Sequence, residues 1–333
     1  MARIGSWIEI FADGIYVRPG DAWIDPAQPK PRAMITHGHG DHARGGHGSV
    51  LATPETLAIM ALRYGEQNGQ PVAYGETVRV GDVDVSFVPA GHVLGSAQIV
   101  LEHAGEKIVV SGDYKRRPDP TCHEFVPVPC DVFITEATFG LPVFRHPDTG
   151  GEMDRLLHRL HSDPSRCVLV GAYALGKAQR LIAELRRRGH EEAIYIHGAL
   201  ERMCRLYEEL GVDLGELRLA TGAAKDELKG KIVLAPPGCL NDRWSRRLPD
   251  PATAMASGWM RIRQRARQQN VELPLVISDH ADWDELTQTI GELEPKEVWI
   301  THGREEALKH WCMTHQISAR ELNLIGYEDE EVA

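Results

Sequence analysis

Six short apolar runs in this chain each stop at a histidine, an aspartate or a glutamate, a pattern that few architectures can accommodate. Ala33-Met34-Ile35 leads into Thr36-His37-Gly38-His39-Gly40-Asp41-His42, and Val85-Ser86-Phe87-Val88 into Pro89-Ala90-Gly91-His92. Ile108-Val109-Val110 leads into Ser111-Gly112-Asp113, and Val132-Phe133-Ile134 into Thr135-Glu136. Far downstream, Leu275-Val276-Ile277 leads into Ser278-Asp279-His280, and Val298-Trp299-Ile300 into Thr301-His302-Gly303. Runs of this length bounded by Gly, Pro and Asp predict β-strands. Helical periodicity is scarce in the first 136 residues. Loops held by a rigid sheet usually carry binding and catalysis, so polar groups delivered to six strand ends predict a site.

The densest cluster is H-x-H-x-D-H at residues 37–42. In an extended segment side chains alternate, so His37 and His39 point to one side and can grip one metal ion. A turn through Gly40 brings Asp41 and His42 round to a second position. Imidazole nitrogen mixed with carboxylate oxygen suits zinc first, with manganese or iron as alternatives. Isolated histidines such as His47, His103 and His197 are read as ordinary surface or core residues.

Composition sets the frame for such a site. At 333 residues the chain has room for about two domains of ~150 residues each. Its 42% hydrophobic and 26% charged residues match ordinary soluble globular chains. No apolar run is long enough to span a bilayer and the N-terminus lacks a signal-peptide core, so a soluble, cytoplasmic protein is expected. The six cysteines contain no C-x-x-C pair, which argues against a disulfide framework and a zinc ribbon.

The net charge of -11 conceals an asymmetry: residues 151–272 are net +5 and the remainder is strongly acidic. Within that segment Arg243, Arg246, Arg247, Arg261, Arg263, Arg265 and Arg267 stand against a single acid, Asp250, over the twenty-five residues 243–267. Such a surface can hold a phosphate backbone even on an anionic protein. The alternative is a solvated face paired with acids from elsewhere.

Residues 167–240 alternate strand-like and helix-like runs in the β-α-β-α-β order of a small parallel sheet. Gly171-Ala172-Tyr173-Ala174-Leu175-Gly176-Lys177 satisfies G-x-x-x-x-G-K, the start of a nucleotide-binding P-loop. The next residue, Ala178, has no hydroxyl for magnesium, so ATP hydrolysis is not expected. Two readings remain: a tight strand-to-helix turn, or backbone amides and Lys177 touching a nucleic-acid phosphate at a helix N-terminus.

With these motifs in order, the chain resembles the metallo-β-lactamase fold, whose most specific motif is H-x-H-x-D-H. His92 and Asp113 match its next two motifs, and Asp25 in Trp23-Ile24-Asp25 looks like the early Asp that braces the cluster. Glu136, His280 and His302 look like the further motifs of the β-CASP branch, nucleases acting on DNA or RNA. The resemblance implies an α/β fold in four layers, an αβ/βα sandwich, formed by residues 1–150 and 273–333. A β-CASP cassette of Rossmann-like α/β/α type, residues 151–272, would be inserted as a nucleic-acid cover. Tyr173–Leu181, Ser257-Gly258-Trp259 and Ser278–Trp283 look like the bacterial DNA-ligase-associated exonucleases, which are similar in turn to DNA crosslink-repair nucleases. His302 departs from the crosslink-repair pattern, which has an apolar residue there, and matches RNA-processing members.

The resemblance implies two divalent metal ions hydrolysing a phosphodiester bond. His37, His39 and His92 are assigned to one ion, Asp41, His42 and His302 to the other, and Asp113 to the bridge. His280, oriented by Glu136, is the candidate general acid, since an imidazole can be protonated near neutral pH beside a carboxylate. A purely structural role for this pair is the alternative. Lys177, Arg243, Arg246, Arg247, Arg261 and Arg263 are the candidate nucleic-acid contacts. The expected activity is a DNA exonuclease in DNA repair, working with a DNA ligase, and the alternative is a β-CASP ribonuclease. Thioester or lactam hydrolysis on the same scaffold would need neither the insert nor Glu136 and His280. A scaffold that has lost its metals would show missing ligands.

Overall fold

The computed structural model describes residues 4–269 and 271–325. The chain divides into two compact units, one built from residues up to Arg145 and from His280 onward, the other from His146–Asp279. The cuts read from the sequence at 150/151 and 272/273 fall inside a helix, Thr149–Ser162, and just before a strand, Leu273–Leu275, that pairs within the second unit. The basic segment begins five residues after the start of the second unit and ends seven residues before its end.

Strands and helices are numbered along the chain. In the first unit β1 (Ile8–Phe11), β2 (Gly14–Val17), β3 (Ala22–Ile24), β4 (Ala33–Met34), β5 (Val50–Ala52) and β6 (Gly69–Pro71) form one sheet in sequential order. It is antiparallel through β3 and parallel from there on. Helix α1 (Pro54–Tyr64) leaves β5 through Thr53, whose hydroxyl accepts from the Thr56 N–H at 3.2 Å, with Pro54 in the first turn.

The second sheet holds β7 (Thr77–Val80), β8 (Val83–Pro89), β9 (Ala97–His103), β10 (Glu106–Val110) and β11 (Val132–Ala137), joined by β18 (Glu297–Gly303) and β19 (Ser318–Glu321) from the far end of the chain. Its order is β19-β18-β11-β10-β9-β8-β7. Along β8, Val83, Val85 and Phe87 are buried and alternate with more exposed neighbours, the period-two signature of a half-buried strand.

The two sheets pack face to face. Ile15, Ile24 and Met34 of the first share a core with Phe87, Ile99, Leu101, Val110, Ile134 and Trp299 of the second. The outer face of the second sheet packs Val109, Phe133 and Ile300 against Leu286 and Ile290 of α7 (Trp283–Leu293) and Leu308 of α8 (Glu305–Thr314). The outer face of the first packs Ile35 and Val50 against Met60 of α1. The layers run α, β, β, α, as the resemblance implied, and each fully buried aliphatic or aromatic side chain contributes about 1.5–3 kcal/mol.

The second unit begins with α2 (Thr149–Ser162) and continues β12 (Val168–Gly171), α3 (Lys177–Arg187), β13 (Ile194–Ile196), α4 (Gly198–Glu209), β14 (Leu217–Leu219), α5 (Lys225–Leu228), β15 (Ile232–Ala235), β16 (Ala252–Ala256), α6 (Arg263–Gln268) and β17 (Leu273–Leu275). Its six strands are all parallel, in the order β14-β13-β15-β12-β16-β17. The alternation read over 167–240 matches β12, α3, β13, α4 and β15. The periodic signal did not resolve the short strands β14 and β16, and the strand read at 275–277 lies two residues earlier, as β17.

Candidate metal centre

Loops after four strands of the first unit, together with β11 and β18 themselves, bring the polar groups to one place. Asp113 follows β10 through Gly112, whose φ is +57° and whose added Cβ would lie 2.7 Å from Thr36 Cβ. His92 follows β8 through Gly91, at φ +76°, where a Cβ would lie 2.3 Å from the Lys115 carbonyl oxygen. Only glycine allows both the left-handed backbone and the close approach of these loops.

Asp113 stands at the centre. Its Oδ2 lies 3.4 Å from His37 Nε2, 3.4 Å from His42 Nε2 and 3.7 Å from His92 Nε2, and its Oδ1 lies 3.3 Å from His302 Nε2. Three groups of potential ligand atoms, each mutually within 4.8 Å, share it: His37, His39, His92 and Asp113; His42, Asp113 and His302; and Asp113, Glu136 and His280. Asp41 belongs to none of the three, although its Oδ2 lies 3.6 Å from His42 Nε2. The H-x-H-x-D-H segment is irregular rather than extended, yet His37 and His39 do fall in one group and His42 in another.

A second layer fixes these rings. Asp25 accepts from the Thr36 backbone N–H at 2.8 Å and from its hydroxyl at 2.6 Å, and its Oδ2 lies 2.8 Å from His42 Nδ1. Thr36 Oγ1 also meets His37 Nδ1 at 3.0 Å, and Thr301 Oγ1 meets His302 Nδ1 at 2.8 Å. Glu136 accepts the Tyr114 N–H at 2.9 Å and faces His280 Nδ1 at 3.0 Å. Thr36 and Thr301 were not singled out in the sequence, although each directly precedes a ligand-type histidine and so was open to that reading.

Charge in this pocket is strongly coupled to burial. Burial opposes a proton on His42, but the carboxylates of Asp113, Asp41 and Asp25 outweigh it and raise the pKa to about 10. For His37 burial wins and the ring is held well below the usual imidazole range. Burial would raise Asp113, yet the surrounding imidazoles, His42 and His280 foremost, hold it well below the usual carboxylate range.

The donor set fits divalent cations. His37 Nε2 and Asp41 Oδ1 are buried without a hydrogen-bond partner, a costly condition unless something binds them. His92 Nε2 and His39 Nδ1 face each other at 2.9 Å. Ring nitrogens and carboxylate oxygens converging in this way offer lone pairs to a metal ion.

The second unit corrects one expectation. Lys177 was a candidate phosphate contact, but it is fully buried; its Nζ donates to the Ile277 carbonyl at 2.9 Å and pairs with Asp279 at 3.2 Å. Arg180, one turn on, also pairs with Asp279, at 3.1 Å. The G-x-x-x-x-G-K turn therefore directs its lysine inward to a carboxylate and a carbonyl. Arg243, Arg246, Arg247, Arg261 and Arg263 are exposed.

No family model matches the chain. In an alignment 325 positions long that covers 92% of this chain, it is 29% identical to a protein named "Probable DNA ligase" from Opitutus terrae, of which that alignment covers 31%. It is also 29% identical over 214 residues to "Ribonuclease TTHA0252" from Thermus thermophilus, covering 53% of this chain and 48% of that protein. The chain thus spans less than half the length of either relative. A crystal structure of a protein of unknown function from Enterococcus faecalis V583 superposes with a TM-score of 0.53 over 86% of this chain and 78% of that one, at 14% identity. These likenesses join the αβ/βα layers and the motif order around Asp113. These relatives bear out the resemblance to the β-CASP branch of the metallo-β-lactamase nucleases. Among the described residues, no helix is long and apolar enough to cross a membrane.

Proposed function

We propose that the chain is a metal-dependent nuclease that hydrolyses phosphodiester bonds, and that its preferred substrate is the end of a DNA strand. The observation that carries this reading is the sharing of Asp113 by two groups of ligand atoms and by the His280–Glu136 pair. His37, His39 and His92 would hold one divalent cation and His42 and His302 the other, with Asp113 common to both and Asp41 beside the second. Zinc is the first choice for this imidazole-rich set, with manganese or iron as alternatives. Paired divalent cations supply Lewis acidity toward phosphoryl oxygens and make water more acidic.

The protein's own groups supply the rest. Glu136 receives the Nδ1 side of His280 at 3.0 Å, which leaves Nε2 to deliver a proton to the departing alkoxide. The Tyr114 N–H holds Glu136, and the Tyr114 carbonyl accepts the Ala281 N–H at 2.6 Å, so one residue orients both members of the pair. In the cassette, Arg243, Arg246, Arg247, Arg261 and Arg263 would meet the phosphate backbone.

The DNA preference is supported by the likeness to a protein named for DNA ligation and by the cassette motifs that resemble ligase-associated exonucleases. An association with a DNA ligase would place the enzyme at end processing before sealing. A ribonuclease is the second reading, favoured by the relative named a ribonuclease and by His302. Digestion of end-labelled DNA, RNA and a chimeric strand with 2′-hydroxyls at the scissile step, with and without chelator, tests both. Chelator-sensitive loss of terminal DNA nucleotides is the expected result. Cleavage confined to steps bearing 2′-hydroxyls would transfer the assignment to RNA, and no cleavage with metal supplied would remove it.

A further inference from the structure

In the second unit β13 and β15 are parallel neighbours, yet the chain leaves β13 toward β14 on one side and β15 toward β16 on the other. Right-handed crossovers send these connections to opposite faces. The carboxyl ends of β13 and β15 are therefore a topological switch point, where open α/β sheets leave a crevice for ligands.

Two aromatic rings meet there. His197 follows β13 directly; its N–H donates to the Leu234 carbonyl at 2.8 Å and its Nδ1 accepts from the Ala199 N–H at 3.1 Å. Trp244 lies on the connection out of β15, with its ring centroid 4.6 Å from that of His197 and the planes at 90°. Asp242 Oδ1 accepts from the backbone N–H groups of Trp244 at 2.7 Å and Ser245 at 2.9 Å, which fixes the turn. His197 and Trp244 are half-buried residues, and Arg243, Arg246 and Arg247 around Trp244 are exposed. Among the described residues these three arginines have no carboxylate partner, whereas Arg166, Arg188, Arg205 and Arg218 of the same unit are all paired.

Held aromatic faces beside unneutralised guanidinium groups suit a base on a phosphate chain. A duplex already stacks its bases internally, so the strand that gains from such a site is a single one. We propose that Trp244 and His197 form a stacking platform for an unpaired base of single-stranded nucleic acid, with Arg243, Arg246 and Arg247 on the flanking phosphates. This inference rests on the nuclease reading and narrows its substrate to strands with unpaired bases.

The test is fluorescence anisotropy with the full-length, metal-loaded protein. The probes are a short oligothymidylate with cleavage-resistant phosphorothioate links, an abasic strand of equal length and a blunt duplex. Trp244→Leu should weaken oligothymidylate binding about fivefold to a hundredfold, the range for losing one base–aromatic stack, and leave the other two probes nearly unchanged. Trp244→Phe should restore most of the loss. As a readout independent of variant stability, oligothymidylate should quench tryptophan fluorescence in the wild type and less so in Trp244→Phe. Equal losses on oligothymidylate and the abasic strand, or no loss on either, would overturn the platform. Displacement of oligothymidylate by thymidine monophosphate at matching concentration would overturn it too, in favour of a mononucleotide pocket. Failure of the wild type to bind or digest any nucleic acid would sink the nuclease reading and the platform together, whereas digestion with an indifferent Trp244 would sink the platform alone.

Discussion

At the scale of the residue, the centre depends on groups that never need to touch substrate. Asp25 bonds the Thr36 N–H and hydroxyl and turns His42 by its Nδ1, and partners of this kind set both ring orientation and ligand basicity. Asp25 itself has a left-handed backbone, φ 43°, a conformation that Asp and Asn tolerate better than most residues. Asp25→Asn therefore removes charge without adding strain, and should lower metal affinity about tenfold or more, measured by competition with a chromogenic chelator. An unchanged affinity would show that Asp25 braces the loop and nothing else. His280 makes the opposite prediction. His280→Ala should cut kcat by about 10²–10⁴, the usual worth of a general acid, while elemental analysis finds the wild-type metal content. Parallel loss of metal and activity would assign His280 a structural role.

At the scale of the element, the loop after Asp113 ties the centre to its surroundings through three consecutive cations. Lys115 pairs with Asp119 at 2.6 Å, Arg116 with Glu292 at 2.6 Å, and Arg117 with Asp282, the N-cap of α7, at 2.5 Å. The first pair is almost wholly buried, at 1% and 3% side-chain exposure, so removing one partner strands a charge. Lys115→Met should cost about 3–5 kcal/mol of unfolding free energy in a urea titration, and adding Asp119→Asn should recover part of it. A single-variant loss below about 1 kcal/mol would mean that water reaches the pair. None of this was legible in the sequence, where Lys115-Arg116-Arg117 looks like any solvated basic run. The strands that end in His92, Asp113 and Glu136 were legible, because alternation and bounding glycines are local properties of the chain. Lys177 was misread for the converse reason. Its motif describes a turn faithfully, but its partner Ile277 lies 100 residues on, and no local pattern reports that. The short strand β16, Ala252-Thr253-Ala254-Met255-Ala256, was missed because alanine carries little β-propensity and only its place in the parallel sheet makes it a strand.

At the scale of the whole molecule, a net charge of -11 should repel a polyanion, and salt decides whether that average or the local arginines govern binding. If long-range repulsion dominates, added salt screens it and affinity holds or rises. If arginines displace counterions from phosphates, the logarithm of the binding constant falls with the logarithm of salt by about 0.7 per phosphate on a single strand. The structure favours the second case, since Arg243, Arg246 and Arg247 are exposed and have no carboxylate partner among the described residues. Replacing all three by alanine should reduce the steepness of that slope by about 2, read from anisotropy titrations across a salt series. Arg188, Arg205 and Arg218, each held by a carboxylate, are the matched control: replacing all three by alanine removes the same formal charge from the same unit and should leave the slope where it was. Equal changes from the paired and the unpaired arginines would mean that the chain meets nucleic acid through total charge, and the arginine-rich segment would lose its claim as the contact surface.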